Sequence, residues 1–125
     1  MADKISNVEM IIMKKKKLSK EDINYIMHKT TNKLDFLTLN YIEKAIIDQN
    51  GPDFINRSKN KIEVLVSLLL NDSADDIFDF YIATFNEYMK KTHNSYEGIT
   101  SFNLVFISLL HISLKIIRKS VGKKE

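Results

Sequence analysis

The feature that most constrains this chain is a long apolar stretch from Ile99 to Val121, ITSFNLVFISLLHISLKIIRKSV, which carries no formal charge before Lys115. Its polar residues recur mostly at steps of three, four and seven, which gathers them on one side of a helix. That side holds Ser101, Ser108, His111, Lys115, Arg118 and Lys119, and the opposite side holds Phe102, Val105, Phe106, Leu109, Ile112 and Ile116. The stretch therefore predicts a buried amphipathic helix.

Two other structures compete for the same stretch. Leu110 to Ile116 also alternates apolar and polar residues, and β-branched and aromatic side chains are common there, as in a strand. A membrane-spanning helix needs about 20 predominantly apolar residues, and a window of that length from Ile99 takes in Asn103, His111 and Lys115. We favour the buried helix over both, and a membrane anchor is the less favoured alternative.

The apolar segments in the rest of the chain are shorter and contain more polar residues. With three glycines and one proline, it has few sites for tight turns, which favours helices over a sandwich or barrel. We expect an all-α, compact bundle of about six helices that ends in the long apolar helix. The five upstream helices are predicted over Ile5–Lys17, from Ser19, over Leu39–Asp48 behind a Thr38 cap, over Lys61–Leu70, and over Ala74–Lys91 behind a Ser73 cap.

Length and cysteine content limit the number of domains and the cellular compartment that we expect. The 125 residues predict a single helical domain, within which residues 99–121 form the apolar C-terminal helix. Zero cysteines fit a reducing compartment, and MADKISNVEM at the N-terminus has no apolar run of signal length. We therefore expect a cytoplasmic protein.

Motifs for catalysis and cofactor binding are missing from the sequence. There is no glycine-rich phosphate loop, no dinucleotide fingerprint and no Gly-x-Ser-x-Gly elbow. His28, His93 and His111 lie far apart, with no His-x-x-x-His spacing for a metal. We expect no enzyme, no cofactor and no metal site.

Charge is segregated along the chain. Residues 1–33 carry eight lysines against four acids, residues 34–98 six bases against eleven acids, and residues 99–125 five bases against one acid. An acidic middle argues against the continuous basic face that nucleic acid requires. Charge complementarity with a protein partner, or between copies of the chain, is the better use of this pattern.

The order of the helices resembles the caspase recruitment domains of the death-fold superfamily, over residues 8–98. The match is carried by KNKIEVLVSLLL from Lys59 to Leu70 and FDFYIATF from Phe78 to Phe85, with LSKEDINYI from Leu18 to Ile26 upstream. The resemblance implies homotypic assembly in cell-death or innate-immune signalling. Its basic surface would comprise Lys14, Lys15, Lys16, Lys17, Lys59 and Lys61, and its acidic surface Asp35, Glu43 and Asp48.

A second resemblance is to small viral proteins similar to the Bcl-2 family, which are helical bundles with a long apolar helix near the C-terminus. It implies that an amphipathic partner helix is held in an apolar groove. Both resemblances predict a protein partner, with a second helical domain or a second copy among the candidates, and no nucleic acid. They differ in the long helix, which would lie centrally in the second family and outside a closed bundle in the first.

Overall fold

Helices account for nearly all of the described residues in this computed structural model, which describes residues 5–29, 32–92 and 96–122. Within those ranges there are seven helices and no strand. The helices are α1 (Asn7–Met13), α2 (Lys20–His28), α3 (Lys33–Asn50), α4 (Phe54–Arg57), α5 (Lys59–Leu70), α6 (Ala74–Thr92) and α7 (Tyr96–Gly122). The prediction of an all-α bundle with a long apolar C-terminal helix is confirmed.

Short polar side chains set where the helices begin. Ser19 and Asp22 form a reciprocal capping box at α2, in which each side chain accepts a hydrogen bond from the other's backbone N–H. At α6 the Asp76 N–H donates to Ser73 Oγ at 3.2 Å. Both starts were predicted from the Ser-x-x-Asp pattern, and both are confirmed.

The predicted start of α3 is wrong. Asn32 rather than Thr38 caps this helix, because its Oδ1 accepts a hydrogen bond from the Asp35 N–H at 2.7 Å. The Thr38 hydroxyl instead donates back to the Leu34 carbonyl inside the helix. Asn32 gives α3 an extra turn and a half, so that it reaches α1.

Three further boundaries differ from prediction. Helix α1 ends at Met13, because Lys15 adopts a left-handed conformation with φ of 54°, so the run Lys14–Lys17 lies beyond the helix. The connection after Gly51 contains the single turn α4, and α5 starts at Lys59. The link between the predicted helix end at Lys91 and the predicted start at Ile99 is shorter, since α6 runs to Thr92 and α7 begins at Tyr96; residues 93–95 lie outside the described ranges.

Helix α7 is the centre of the bundle. It packs on α5 and α3, and also on α6 and α1. It is helical throughout Leu110–Ile116, which settles the competition with a strand. Its predicted polar side is not solvent-exposed in the middle of the helix, because α3 covers it: Ser108 and His111 are both buried.

Buried polar groups on α7 are satisfied inside the protein. Ser108 and Ser113 donate to the carbonyls of Leu104 and Leu109, each at 2.8 Å, one turn earlier in their own helix. Asn103 and His111 have partners on other elements. A helix buried around most of its circumference can therefore carry polar residues without leaving them unpaired.

Candidate partner-binding groove

An apolar groove lies between the α4–α5 corner and the pair α6–α7. It encloses a cavity of about 320 Å³, at the lower end of the range of roughly 300–1,000 Å³ that ligand pockets occupy. Its lining residues are Asn50, Phe54, Arg57, Ser58, Lys61, Phe80, Thr84, Tyr88, Phe102, Val105, Phe106 and Leu109. The side chains at its centre are apolar or aromatic, and the polar ones belong mostly to the α4–α5 side.

Helical spacing builds the floor of the groove. Phe102, Val105, Phe106 and Leu109 recur at steps of three and four, and so form one face of α7. The α6 wall repeats every four residues, at Phe80, Thr84 and Tyr88. Ring contacts join the two helices, with Tyr88 and Phe102 centroids 5.2 Å apart and Phe80 and Phe106 6.3 Å apart.

Thr84 interrupts this aromatic wall without making it polar. Its hydroxyl donates within α6, to the Phe80 carbonyl at 2.9 Å and the Tyr81 carbonyl at 3.1 Å. Because the hydroxyl is already engaged, a ligand in the groove has no unpaired group to satisfy at this position. The wall is therefore compatible with an apolar ligand along its whole length.

The α4–α5 rim of the groove is cationic. Arg57 Nη2 donates to the Asn50 carbonyl at 2.6 Å, which ties α4 to the end of α3. Lys61 follows one turn later on α5 and is exposed. Among the residues that the structure describes, none of those lining this cavity is acidic, so a ligand with a carboxylate beside its apolar face suits the rim.

The predicted basic residues Lys14–Lys17 form a tethered loop, which we call the lysine loop. Asn103 Nδ2 donates to the Lys16 carbonyl at 2.7 Å, and the Leu18 N–H donates to the Tyr81 hydroxyl at 2.8 Å. The same Tyr81 hydroxyl donates to Asn103 Oδ1 at 2.5 Å. Burial raises the pKa of Tyr81 to about 12, so this phenol stays protonated.

The six predicted lysines do not form one surface. Lys17 Nζ lies 4.9 Å from the Phe85 ring centre, beside a shallow depression that Met89, Lys90 and Ile99 also line. Lys61 lies at the apolar groove, on the opposite side of α6. Lys59 is exposed near Lys61 at the start of α5. The six predicted lysines thus belong to two separate regions.

Most residues of the predicted acidic surface are buried or paired inside the protein. Asp35 is fully buried: it accepts hydrogen bonds from the Tyr25 hydroxyl at 2.5 Å, Asn32 Nδ2 at 2.8 Å and the Val8 N–H at 3.2 Å. Burial alone would raise the pKa of Asp35, but these hydrogen bonds outweigh it and lower that pKa. Asp35 therefore joins α1, α2 and α3 and offers nothing to solvent.

Glu43 and Asp48, the other two predicted acidic residues, differ in their exposure to solvent. Glu43 is largely covered, and Lys115 Nζ lies 2.8 Å from its Oε1 as an ion pair without aligned hydrogen-bond geometry. Asp48 is exposed near the end of α3. Of the three predicted acidic residues, only Asp48 is available to a partner.

A polar contact inside the α3–α7 interface includes His111. Its Nε2 lies 2.9 Å from Asn40 Oδ1, an oxygen that can only accept, so Nε2 carries the proton. The ring packs edge-on against Phe36, with centroids 5.4 Å apart. Burial, and after it the charge of Lys115, lowers the pKa of His111 to about 4. His111 is therefore neutral near pH 7 and acts as an interhelical hydrogen-bond donor.

Two further properties of the described residues concern metal binding and membrane insertion. Over the described ranges, which leave out His93, no group of three or more His, Asp or Glu side chains is placed to hold a metal ion. Gly98–Ser120 is long and apolar enough to cross a membrane by length and composition, but more than half of its most apolar window is buried in the bundle. A core helix of a soluble protein has the same properties.

The second resemblance implies an apolar groove, but the sequence did not predict which residues line it. Aromatic residues such as Phe80, Tyr88 and Phe102 are usually core residues, and the four-residue spacing of Phe80, Thr84 and Tyr88 was the available signal. None of the protein-family models, curated proteins or solved structures compared with the chain matches it. Its function is therefore inferred from its own side chains.

Proposed function

We propose that this protein is a non-enzymatic interaction module that holds an amphipathic helix of a partner protein in the groove between α4–α5 and α6–α7. The observation that carries the proposal is the apolar floor of that groove, which Phe102, Val105 and Phe106 of α7 contribute beside a cationic rim. Helix-in-groove recognition uses this combination, since the apolar face of the ligand enters the groove and its polar edge stays at the rim.

The dimensions and charge restrict the partner. A cavity of about 320 Å³ admits a few large side chains rather than a whole helix, so the partner helix lies along the groove and inserts apolar residues at i, i+3 or i+4, and i+7. Arg57 and Lys61 favour acidic residues on the edge of the helix that meets the rim. The ligand is thus an acidic amphipathic helix.

The central position of α7 supports the viral Bcl-2-like resemblance over the recruitment-domain one. In the viral Bcl-2-like family the long apolar helix is expected inside the bundle, and α7 packs on α5, α3, α6 and α1. We therefore propose regulation of apoptosis or innate-immune signalling, by capture of a partner's helix, as the cellular role.

Peptide binding tests the groove directly. The probe is a fluorescein-labelled amphipathic helical peptide with leucines at i, i+4 and i+7 and aspartates at one edge of that face, titrated by fluorescence anisotropy. We expect saturable binding that Val105→Glu weakens by roughly tenfold or more, because a carboxylate would then lie on the apolar floor. Lys61→Glu should weaken binding of the acidic peptide and leave a peptide with lysines in place of the aspartates less affected.

Matched substitutions outside the groove serve as controls. Val64→Glu places the same change on an exposed α5 position, and Lys59→Glu reverses a neighbouring exposed charge that does not line the cavity. Both should retain binding. Peptide affinity that is unchanged in Val105→Glu and Lys61→Glu, with circular dichroism showing that the variants are folded, contradicts the proposal.

The lysine loop favours a second candidate, homotypic or partner assembly through charge, as in the recruitment domains. Hydrogen bonds at the Lys16 carbonyl and at the adjoining Leu18 N–H hold its backbone, and Lys15 and Lys16 are exposed, which lowers the entropic cost of binding an acidic surface. This candidate predicts salt-sensitive association. Unchanged association after joint reversal of Lys15 and Lys16 to glutamate rules it out.

A further inference from the structure

An apolar surface lies on α3, away from the groove and from the lysine loop. Leu34 is 40%, Leu37 52% and Tyr41 76% exposed, although large apolar side chains are normally covered. Ile5 is exposed as well and lines the same surface depression as Leu34, so the apolar area continues onto the residues that precede α1. We infer that this surface, the α3 outer face, is where two copies of the chain associate.

Helical geometry puts the exposed residues of α3 on one face. The outward residues are Lys33, Leu34, Leu37, Tyr41, Lys44, Ala45 and Asp48, and the buried residues on the opposite face are Asp35, Leu39, Ile42 and Ile46. Tyr41 is near the middle of the outward face, both around the helix and along it. A dimer with its two-fold axis beside Tyr41 would therefore include the whole outward face of α3 in the contact.

The charges on this face select a second, antiparallel copy as the occupant. Leu34 and Asp48 are each seven residues from Tyr41, so an antiparallel pair of α3 helices centred on Tyr41 sets Leu34 of one copy opposite Asp48 of the other. Lys33, the residue next to Leu34, then lies within side-chain reach of that carboxylate. Two symmetry-related ion pairs then flank the central tyrosines, and the two helix dipoles run in opposite directions.

The apolar residues fit the same arrangement. Leu37 and Ala45 are equidistant from Tyr41, so a large side chain of one copy faces a small side chain of the other. A parallel pair would instead bring Lys33 against Lys33 and Asp48 against Asp48, which like-charge repulsion opposes. One helix face from each copy gives a small contact area, so the dimer belongs among weak, reversible interfaces.

Sedimentation equilibrium of the full chain, over a concentration series from low to high micromolar, tests the dimer. We expect reversible monomer–dimer association that Leu37→Glu weakens by roughly tenfold or more, because two glutamates would then lie within the apolar contact. Lys33→Asp and Asp48→Lys should each weaken the dimer. The double variant Lys33→Asp/Asp48→Lys should restore it, since it exchanges the two charges and keeps them complementary.

The charge exchange makes the test specific to this register. Lys119→Asp, a reversal at an exposed position near the end of α7, is the matched control and should leave the dimer constant unchanged. A chain that is monomeric at all concentrations overturns the inference. So does a dimer that survives Leu37→Glu and both single reversals, because it would use another surface. Failure of the double variant to recover association overturns the antiparallel register.

Discussion

Neutral His111 makes the contact between α3 and α7 dependent on pH. Its pKa of about 4 in the folded protein lies below the ordinary value of 6.5, because the ring is buried beside Lys115. The unfolded chain therefore takes up the proton first as pH falls. The stability that neutral His111 contributes is complete above pH 6.5, declines between pH 6.5 and 4, and is lost below about pH 4.

We predict that this one residue lowers the free energy of unfolding by roughly 3 kcal/mol between pH 7 and pH 4. Urea titrations at a series of pH values measure the effect. His111→Gln keeps a hydrogen-bond donor but removes the titration, so its stability should vary much less with pH over that range. Parallel curves for wild type and His111→Gln would show that another group is responsible.

At the scale of single residues, the sequence did not predict which polar side chains are buried. Ser108 and His111 were assigned to a polar helix side because serine and histidine are usually exposed, yet both are buried with partners. The recruitment-domain resemblance implies an acidic surface that includes Asp35, whereas Asp35 is fully buried. The partners that satisfy them, Asn40 for His111 and Tyr25 for Asp35, are distant in sequence, and helical periodicity does not specify such pairs.

At the scale of elements, local capping chemistry made several boundaries predictable. The Ser-x-x-Asp patterns at Ser19 and Ser73 fixed the starts of α2 and α6. The start of α3 was predicted wrongly at Thr38, because the tertiary contacts of Asp35, which favour the cap at Asn32, do not show in the local sequence. The turn α4 was missed because four residues are too few to show a period. The groove depends on α4, so it was missed too.

Gly51 ends α3 in a conformation that other residues avoid, with φ of 94° and ψ of 166°. There is space for an added Cβ, since nothing lies within 4 Å of it. The strain of substitution is therefore confined to the backbone. We predict that Gly51→Ala lowers the free energy of unfolding by about 1–3 kcal/mol, as urea denaturation measures.

The same substitution should weaken peptide binding, because Gly51 directs the chain into α4 and so sets the position of Arg57 at the groove. Gln49→Ala, a change at an exposed position two residues before Gly51, is the control. It should alter the free energy of unfolding by less than about 0.5 kcal/mol. If Gly51→Ala unfolds at the wild-type urea concentration, the backbone tolerates this conformation without glycine.

At the scale of the whole molecule, α7 is the common partner of α1, α3, α5 and α6. Phe106 to Ser113 is a continuously buried segment. Amides in such a segment exchange only when the bundle opens as a whole. We predict that hydrogen–deuterium exchange followed by mass spectrometry finds the slowest amides in Phe106–Ser113, and faster exchange in α1 and beyond Lys115. Faster exchange in the middle of α7 than in α1 would contradict this arrangement.

The hydrogen bond between Asn103 and the Lys16 carbonyl joins residues 87 positions apart. During synthesis on the ribosome, α7 emerges after every helix that it packs against. Until then the buried faces of α3 and α5 lack their main partner, and the lysine loop lacks the amide that holds it. Closing so distant a contact early would cost chain entropy without the packing that repays it. The bundle therefore completes its core only after α7 has been released, and before that its exposed apolar faces make the nascent chain a substrate for chaperones.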